Sequence, residues 1–210
     1  MNMTLTMVAA AAAVGAVHTL APDHWVPFAA LARAERWSAS RTTLVTGACG
    51  LGHVTVSAAL GLLALLFGLE VLQTFGARLE SAAGLLLIGF GVAYALWGLR
   101  QRRAHTNGHH HHHHHPPKRM TAWTLFVVFS ADPCVAVIPL IFASAPLGWM
   151  STLAVTAAYE LATIGTMIAM VLPARFAANA VRGAWADRWG HALAGVIVAA
   201  IGAIVAGAGI

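Results

Sequence analysis

Seven residues able to bind cations or carry protons lie inside apolar segments of this chain. They are His18, Asp23 and His24 in "VHTLAPDHWVP", His53 in "GLGHVTVS", Asp132 and Cys134 in "ADPCVAVIP", and Glu160 in "AAYELAT". Imidazole and carboxylate together suit first-row divalent metals such as nickel, cobalt, zinc and iron, and a thiolate adds softness. An ionisable group held near the middle of a bilayer costs about 2.5–3.5 kcal/mol on insertion scales. Several at one depth therefore point to a site. On an unbroken helix His18 and His24 would lie about 240° apart around the axis. Pro22 stands between them, and a local unwinding there would turn both imidazoles and Asp23 toward one cavity. Backbone groups freed by the proline would add oxygen ligands.

Other roles stay open for several of these residues. His53 taken alone can simply bond a backbone carbonyl. Asp132 precedes Pro133 and can either cap a half-helix or bind an ion. Cys134 reads equally as a small packing residue or a ligand, and Cys49 reads as packing. Glu160 can pair with a histidine or relay protons. His191, at the start of the last apolar segment, reads as interfacial.

A second group is different in kind. His105 precedes an uninterrupted tract of His109, His110, His111, His112, His113, His114 and His115, followed by two prolines. Such a tract binds divalent metal in almost any conformation. Purification tags sit mostly at termini, whereas this run is internal. It reads as a native metal-gathering loop that captures or buffers metal, apart from any transport path.

The elements that must position the seven residues are membrane helices. Of 210 residues, 59% are hydrophobic and only 9% charged, against about 25% charged in soluble domains, and the mean hydropathy is +0.75. Six segments, near 3–31, 42–69, 79–99, 121–146, 149–173 and 190–210, approach or exceed the roughly 20 apolar residues a spanning helix needs. The first begins without the positive region of a secretory signal and reads as a retained helix. The net charge of +5 would ordinarily raise nucleic acid as a partner. Here eleven of the twelve Lys and Arg residues flank apolar segments on one side: Arg33, Arg36 and Arg41; Arg100, Arg102, Arg103, Lys118 and Arg119; Arg175, Arg182 and Arg188. Only Arg78 falls on the other. The positive-inside rule then places these three loops in the cytoplasm and both termini outside an inner membrane. The partner is the lipid bilayer, and no nucleic acid is expected.

The expected fold is an all-α membrane protein of six transmembrane helices, arranged as two inverted three-helix repeats. Residues 1–99 form the first repeat, 100–120 the His-rich cytoplasmic loop and 121–210 the second repeat. Proline breaks helices one and four, at "APDHWVP" and "ADPCVAVIP". "ESAAG" at 80–84 and "HALAG" at 191–195 open the third span of each half. Inverted repeats place substrate near the midplane at such broken helices.

"HTLAPDH" fits the pattern His, four residues, Asp-His, and "GLGHVTVS" supplies a Gly-His followed by small and β-branched residues. Both resemble signatures of the nickel/cobalt transporter family, and the His-rich loop resembles its six-span efflux branch within the lysine-exporter-like superfamily. The resemblance implies that His18, Asp23, His24 and His53 select the metal, with Asp132, Cys134 and Glu160 as further candidates. It implies transport of Ni2+ or Co2+, or of Zn2+, which accepts the same ligands. "DPCVAVIP" is also similar to the Pro-Cys motif of membrane thiol–disulfide carriers. The matching place in the first half holds Asp23 and His24 where such a carrier needs a second cysteine. A small-anion exporter of sulfite type shares the broad fold, but three carboxylates at one depth argue against an anion. The expectation is a transporter rather than an enzyme, with no prosthetic group. With no nucleotide-binding motif, coupling to protons or to the membrane potential is expected, and export is the expected direction.

Overall fold

The computed structural model describes residues 2–106, 118–132, 134–180 and 184–208. Among these residues the chain is all helical and without strands. In chain order the helices are α1 (Met3–Thr19), α2 (Val26–Ala34), α3 (Ala39–Phe67), α4 (Leu69–Thr106), α5 (Lys118–Ser130), α6 (Ile138–Ser144), α7 (Trp149–Ala180) and α8 (Ala184–Ala208).

Four segments are long and apolar enough to cross a membrane: Ala39–Phe67, Ser81–Arg100, Trp149–Ala180 and Arg188–Gly207. A fifth candidate is the pair α1–α2, bent by 80° where Pro22 interrupts the helix. The fourth predicted segment, 121–146, resolves into two shorter apolar helices, Thr121–Ser130 and Ile138–Leu147. The chain is thus a multi-span helical membrane protein. Its lipid-facing surface is apolar, with Leu44, Leu66, Phe67 and Leu161 all around 70% exposed.

Two helices run beyond the predicted apolar segments. The third segment, expected near 79–99, lies at Ser81–Arg100. The helix that carries it, α4, starts at Leu69, separated from α3 only by Gly68, whose φ of 97° lies in a region that glycine enters freely. Its 38 residues span about 57 Å at 1.5 Å per residue, well beyond a hydrocarbon core of about 30 Å. Likewise α7 was expected to stop near Pro173, yet it carries that proline inside and runs on to Ala180. Past the proline, Arg175 donates from Nε and Nη2 to the carbonyl of Trp37, at 3.1 and 2.7 Å. Arg33 Nε in turn donates to the carbonyl of Ala178 at 2.5 Å. Tertiary hydrogen bonds therefore fix the turn of helix that proline weakens.

Packing follows small residues, as expected where lipid gives helices no hydrophobic reason to associate. The most extensive pairing is α4 against α8. Gly84, Gly91 and Gly98 on α4 recur every seven residues, as do Gly195 and Gly202 on α8. A Cβ at Gly91 would overlap the backbone nitrogen of Ala199. Elsewhere α7 is the hub, packing against α1, α2 and α3, while α3 also packs on α5. Two apolar clusters result. One gathers Phe28, Leu31, Trp37, Cys49, Leu125, Phe129 and Met167, and the other Ala11, Cys134, Val137, Ile141, Val155 and Tyr159.

Candidate metal centre

The first helix break is built locally. α1 ends at Thr19, whose hydroxyl donates back to the Gly15 carbonyl at 2.6 Å. Pro22–His24 form a single 3-10 turn, and α2 restarts at Val26. Proline cannot donate to the preceding turn. The chain closes the gap with short bonds from Leu20 N–H to the Val17 carbonyl and from Ala21 N–H to that of His18. Trp25 Nε1 donates to the Leu20 carbonyl at 3.1 Å. The bend folds Asp23 and His24 back beside His18. The His18 and His24 rings meet edge to face with centroids 4.5 Å apart, the convergence that the straight-helix geometry forbids.

α3 supplies the next wall. Thr42, Thr46, Cys49, His53 and Ser57 recur at spacings of three and four and are all buried. This is a polar stripe facing inward. His53 packs against His24 with ring centroids 5.4 Å apart and against Phe129 at 5.0 Å. One turn on, Ser57 Oγ donates to the His53 carbonyl at 2.7 Å and accepts from the Cys134 N–H at 2.6 Å. A serine of one helix thus satisfies a backbone donor freed at the second helix break.

Cys134 follows that break. Its Sγ lies 3.1 Å from His18 Nε2 and 2.7 Å from the Tyr159 hydroxyl on α7. Gly15 permits this contact. A Cβ there would stand 2.8 Å from the Tyr159 carbonyl oxygen and 3.0 Å from Thr163 Oγ1, so any larger residue would hold α1, and His18 with it, away from α7. One ligand atom each from His18, His53 and Cys134 lies within 4.8 Å of the others. His53 and Cys134 are buried and His18 is half-buried. Three separate elements therefore contribute one ligand each to a single group that can bind a metal ion.

The imidazoles around this group carry unmet bonding capacity. The ring nitrogens of His53 and His24 are buried without a hydrogen bond of good geometry among the described residues, although the His53 ring approaches the backbone of Phe129 and Asp132. His24 Nδ1 does lie 3.0 Å from Asp23 Oδ2, an ion-pair distance off the line of a hydrogen bond. A buried nitrogen left without a partner costs about 1–3 kcal/mol, and a bound cation would remove that cost for the nitrogens it took.

The seven sequence candidates thus divide. His18, His53 and Cys134 converge. His24 stacks on both histidines, and Asp23 contacts His24. Asp132 does not join the three-residue group. It lines, together with Asp23, Gly84, Phe129 and Val205, a small cleft of about 10 Å³ on the side of α4 and α8. Glu160 follows Tyr159 on α7, half-buried, and likewise stands outside the group. Cys49 is fully buried in the other apolar cluster, and both cysteines are free. Residues 109–115 of the His tract lie outside the described residues.

Sequence reasoning missed Tyr159 and Ser57, the two partners that hold Cys134. Tyr159 stands on α7 one residue before Glu160. Ser57 follows His53 by four, on the same face. A second buried polar network was also missed. Tyr94 OH donates to Glu35 Oε1 at 2.6 Å, Thr121 Oγ1 approaches the same oxygen at 3.5 Å, and Tyr94 OH lies 2.9 Å from His191 Nδ1. This network joins the end of α2 to α4, α5 and α8. His191, expected at an interface, is half-buried against Tyr94 and Trp97.

Chemically, the centre offers two imidazoles and one thiol, His18 and Cys134 beside helix breaks and His53 within the continuous α3. Such a site can take a transition-metal cation. No family model, curated protein or solved structure matches this chain.

Proposed function

We propose that this protein is a membrane transporter of divalent transition-metal cations, of the nickel, cobalt and zinc class, with His18, His53 and Cys134 at its central site. The observation that carries the reading is the convergence of these three ligands from α1, α3 and the break after α5, within 4.8 Å of one another. His18 and Cys134 lie beside helix breaks and face His53 of α3, and in a chain this apolar ligands at broken helices suit the substrate site of a transporter. The resemblance of "HTLAPDH" and "GLGHVTVS" to nickel/cobalt transporters is consistent with this cargo.

In this reading α1–α2 and α5–α6 are the broken leading spans of two inverted halves, giving six crossings. Two features support it. Both pairs are interrupted at a proline-containing stretch, and the packing of α1 on α7 and of α5 on α3 is what exchanging the halves would produce. Eleven of twelve basic residues on one side orient those loops to the cytoplasm. The His tract then faces the cytoplasm and gathers metal for export. Coupling to protons or the membrane potential drives the cycle, and one half rocks against the other around the site.

The test is metal flux into vesicles that hold the purified protein. His18→Ala and His53→Ala should each lower nickel, cobalt or zinc flux by more than the roughly 10–100-fold typical of losing an outer partner of a ligand. Deleting residues 105–115 should shift the metal dependence and leave flux in place. Wild-type flux in both histidine variants would refute the site.

A further inference from the structure

We infer that Cys134 enters the site as a thiolate ligand held by the Tyr159 hydroxyl, and that this pair restricts the cargo to thiophilic cations such as Zn2+, Co2+ and Cd2+. The inference rests on the transport reading and narrows it. Hard cations such as Mg2+ and Mn2+ prefer carboxylate, carbonyl and water oxygen, while thiolate and imidazole select the borderline and soft metals.

The geometry assigns the roles. Tyr159 is 1% exposed, and its hydroxyl lies 2.7 Å from Cys134 Sγ. On the far side of the sulfur stands His18 Nε2, at 3.1 Å. A self-consistent arrangement runs from the Tyr159 O–H to Sγ, and from the thiol hydrogen to His18 Nε2. It leaves the imidazole lone pair and the sulfur aimed at the same point. A cation that replaces the thiol hydrogen falls between them. The S–H bond is exchanged for an S–metal bond, the proton leaves to water with the ion's hydration shell, and no electron moves.

Distances fit this exchange. Metal–sulfur and metal–nitrogen bonds of about 2.3 and 2.0–2.1 Å in a tetrahedral site put neighbouring ligand atoms about 3.5 Å apart. His18 and Cys134 would open by about 0.4 Å from 3.1 Å, and His53 lies within 4.8 Å of both. Three protein ligands leave a fourth position open, as in sites that must exchange what they hold. Once the sulfur is a thiolate it can only accept, and the Tyr159 hydroxyl stands 2.7 Å away to donate to it. Tyr159 is thus a positioning residue. Its backbone also lies against Gly15 of α1, so the residue that steadies the sulfur also sets the distance of the His18 helix.

The experiment uses the full chain in detergent, with Co2+ as probe and the sulfur-to-cobalt charge-transfer band as readout. The His tract contains no sulfur, so the band reports the central site alone. Wild type and Cys49→Ala should show the same band, and Cys134→Ser should lose it. Tyr159→Phe should keep the band but need roughly 10–100-fold more Co2+ to saturate it. Zn2+ and Cd2+ should bleach the wild-type band, and excess Mn2+ should not. The inference is overturned if Co2+ binds and is transported without the band, if Cys49→Ala abolishes the band, if Cys134→Ser retains it, if Tyr159→Phe titrates like wild type, or if Mn2+ competes as well as Zn2+. The wild-type and Cys49→Ala comparison needs no change at the site, so the thiolate stays testable where a site variant fails to fold. A normal band with no flux would refute transport and leave the thiolate site standing.

Discussion

Ser57→Ala is the most informative single change, because it touches no ligand atom and removes one oxygen that serves both halves of the site. In the native chain Ser57 Oγ accepts from the Cys134 N–H at 2.6 Å and donates to the His53 carbonyl at 2.7 Å. Alanine leaves a buried N–H without a partner, at a cost of about 1–3 kcal/mol. It also frees the segment that carries the sulfur. Losing an outer partner of this kind costs about 10–100-fold in metal affinity. The two effects separate in one assay, thermal unfolding in detergent with and without Zn2+. At a Zn2+ concentration 100 times the wild-type Kd, the metal should stabilise wild type by about 2.7 kcal/mol. With a Kd weakened about 30-fold the same Zn2+ concentration is only about three times the variant's Kd, and its gain falls to about 0.9 kcal/mol by the same relation. The variant should therefore melt lower without metal and also recover less with it. A variant with wild-type stability and the full metal-induced gain would refute the claim that Ser57 couples α3 to the sulfur. A lower melting point with an undiminished gain would make the bond purely structural.

Two further outcomes follow from the map of polar groups. Tyr94→Phe removes the 2.6 Å donor to buried Glu35 and should lower stability by about 1–3 kcal/mol, while the cobalt charge-transfer titration stays at its wild-type midpoint; a shifted midpoint would mean that the network reaches the metal site. Glu160→Gln, at a half-buried position outside the ligand group, should move that midpoint by no more than about two-fold, the scale of an ordinary substitution away from such features, and a ten-fold shift would restore Glu160 as a ligand.

Much of the architecture was legible because the physics behind it is local. A run of apolar residues long enough to span a bilayer is helical in lipid whatever its neighbours, since each backbone polar group must be satisfied within the segment. Among the described residues the predicted segments are accordingly built of helices, four of them long and apolar enough to cross a membrane and a fifth if the bent first pair is one span, and Pro22 breaks the first of them as its missing N–H requires. The histidines were legible for a related reason: ionisable groups are costly in such segments, so His18, His24 and His53 stood out. Boundaries set by tertiary bonds were not legible. α7 continues through Pro173, its end anchored by Arg175 to Trp37 in the α2–α3 connection and by Arg33 of α2 to Ala178, and nothing in "VLPAR" announces that.

The division is sharpest at the site itself. The sequence by itself determined that this is a helical membrane protein with histidine, carboxylate and thiol groups set at proline breaks. Each of those features follows from composition or from the conformational limits of single residues. Which groups meet was decided only by tertiary structure. His18, His53 and Cys134 are drawn together, and Glu160 is left out, because Gly15 lets α1 lie on α7, the 80° bend turns His24 back onto His18, and Ser57 receives the backbone of Cys134 from across the bundle. Contacts among residues 35, 81 and 116 positions apart depend on how helices pack, and helix packing is a property of the surfaces they present to one another rather than of any one stretch of chain.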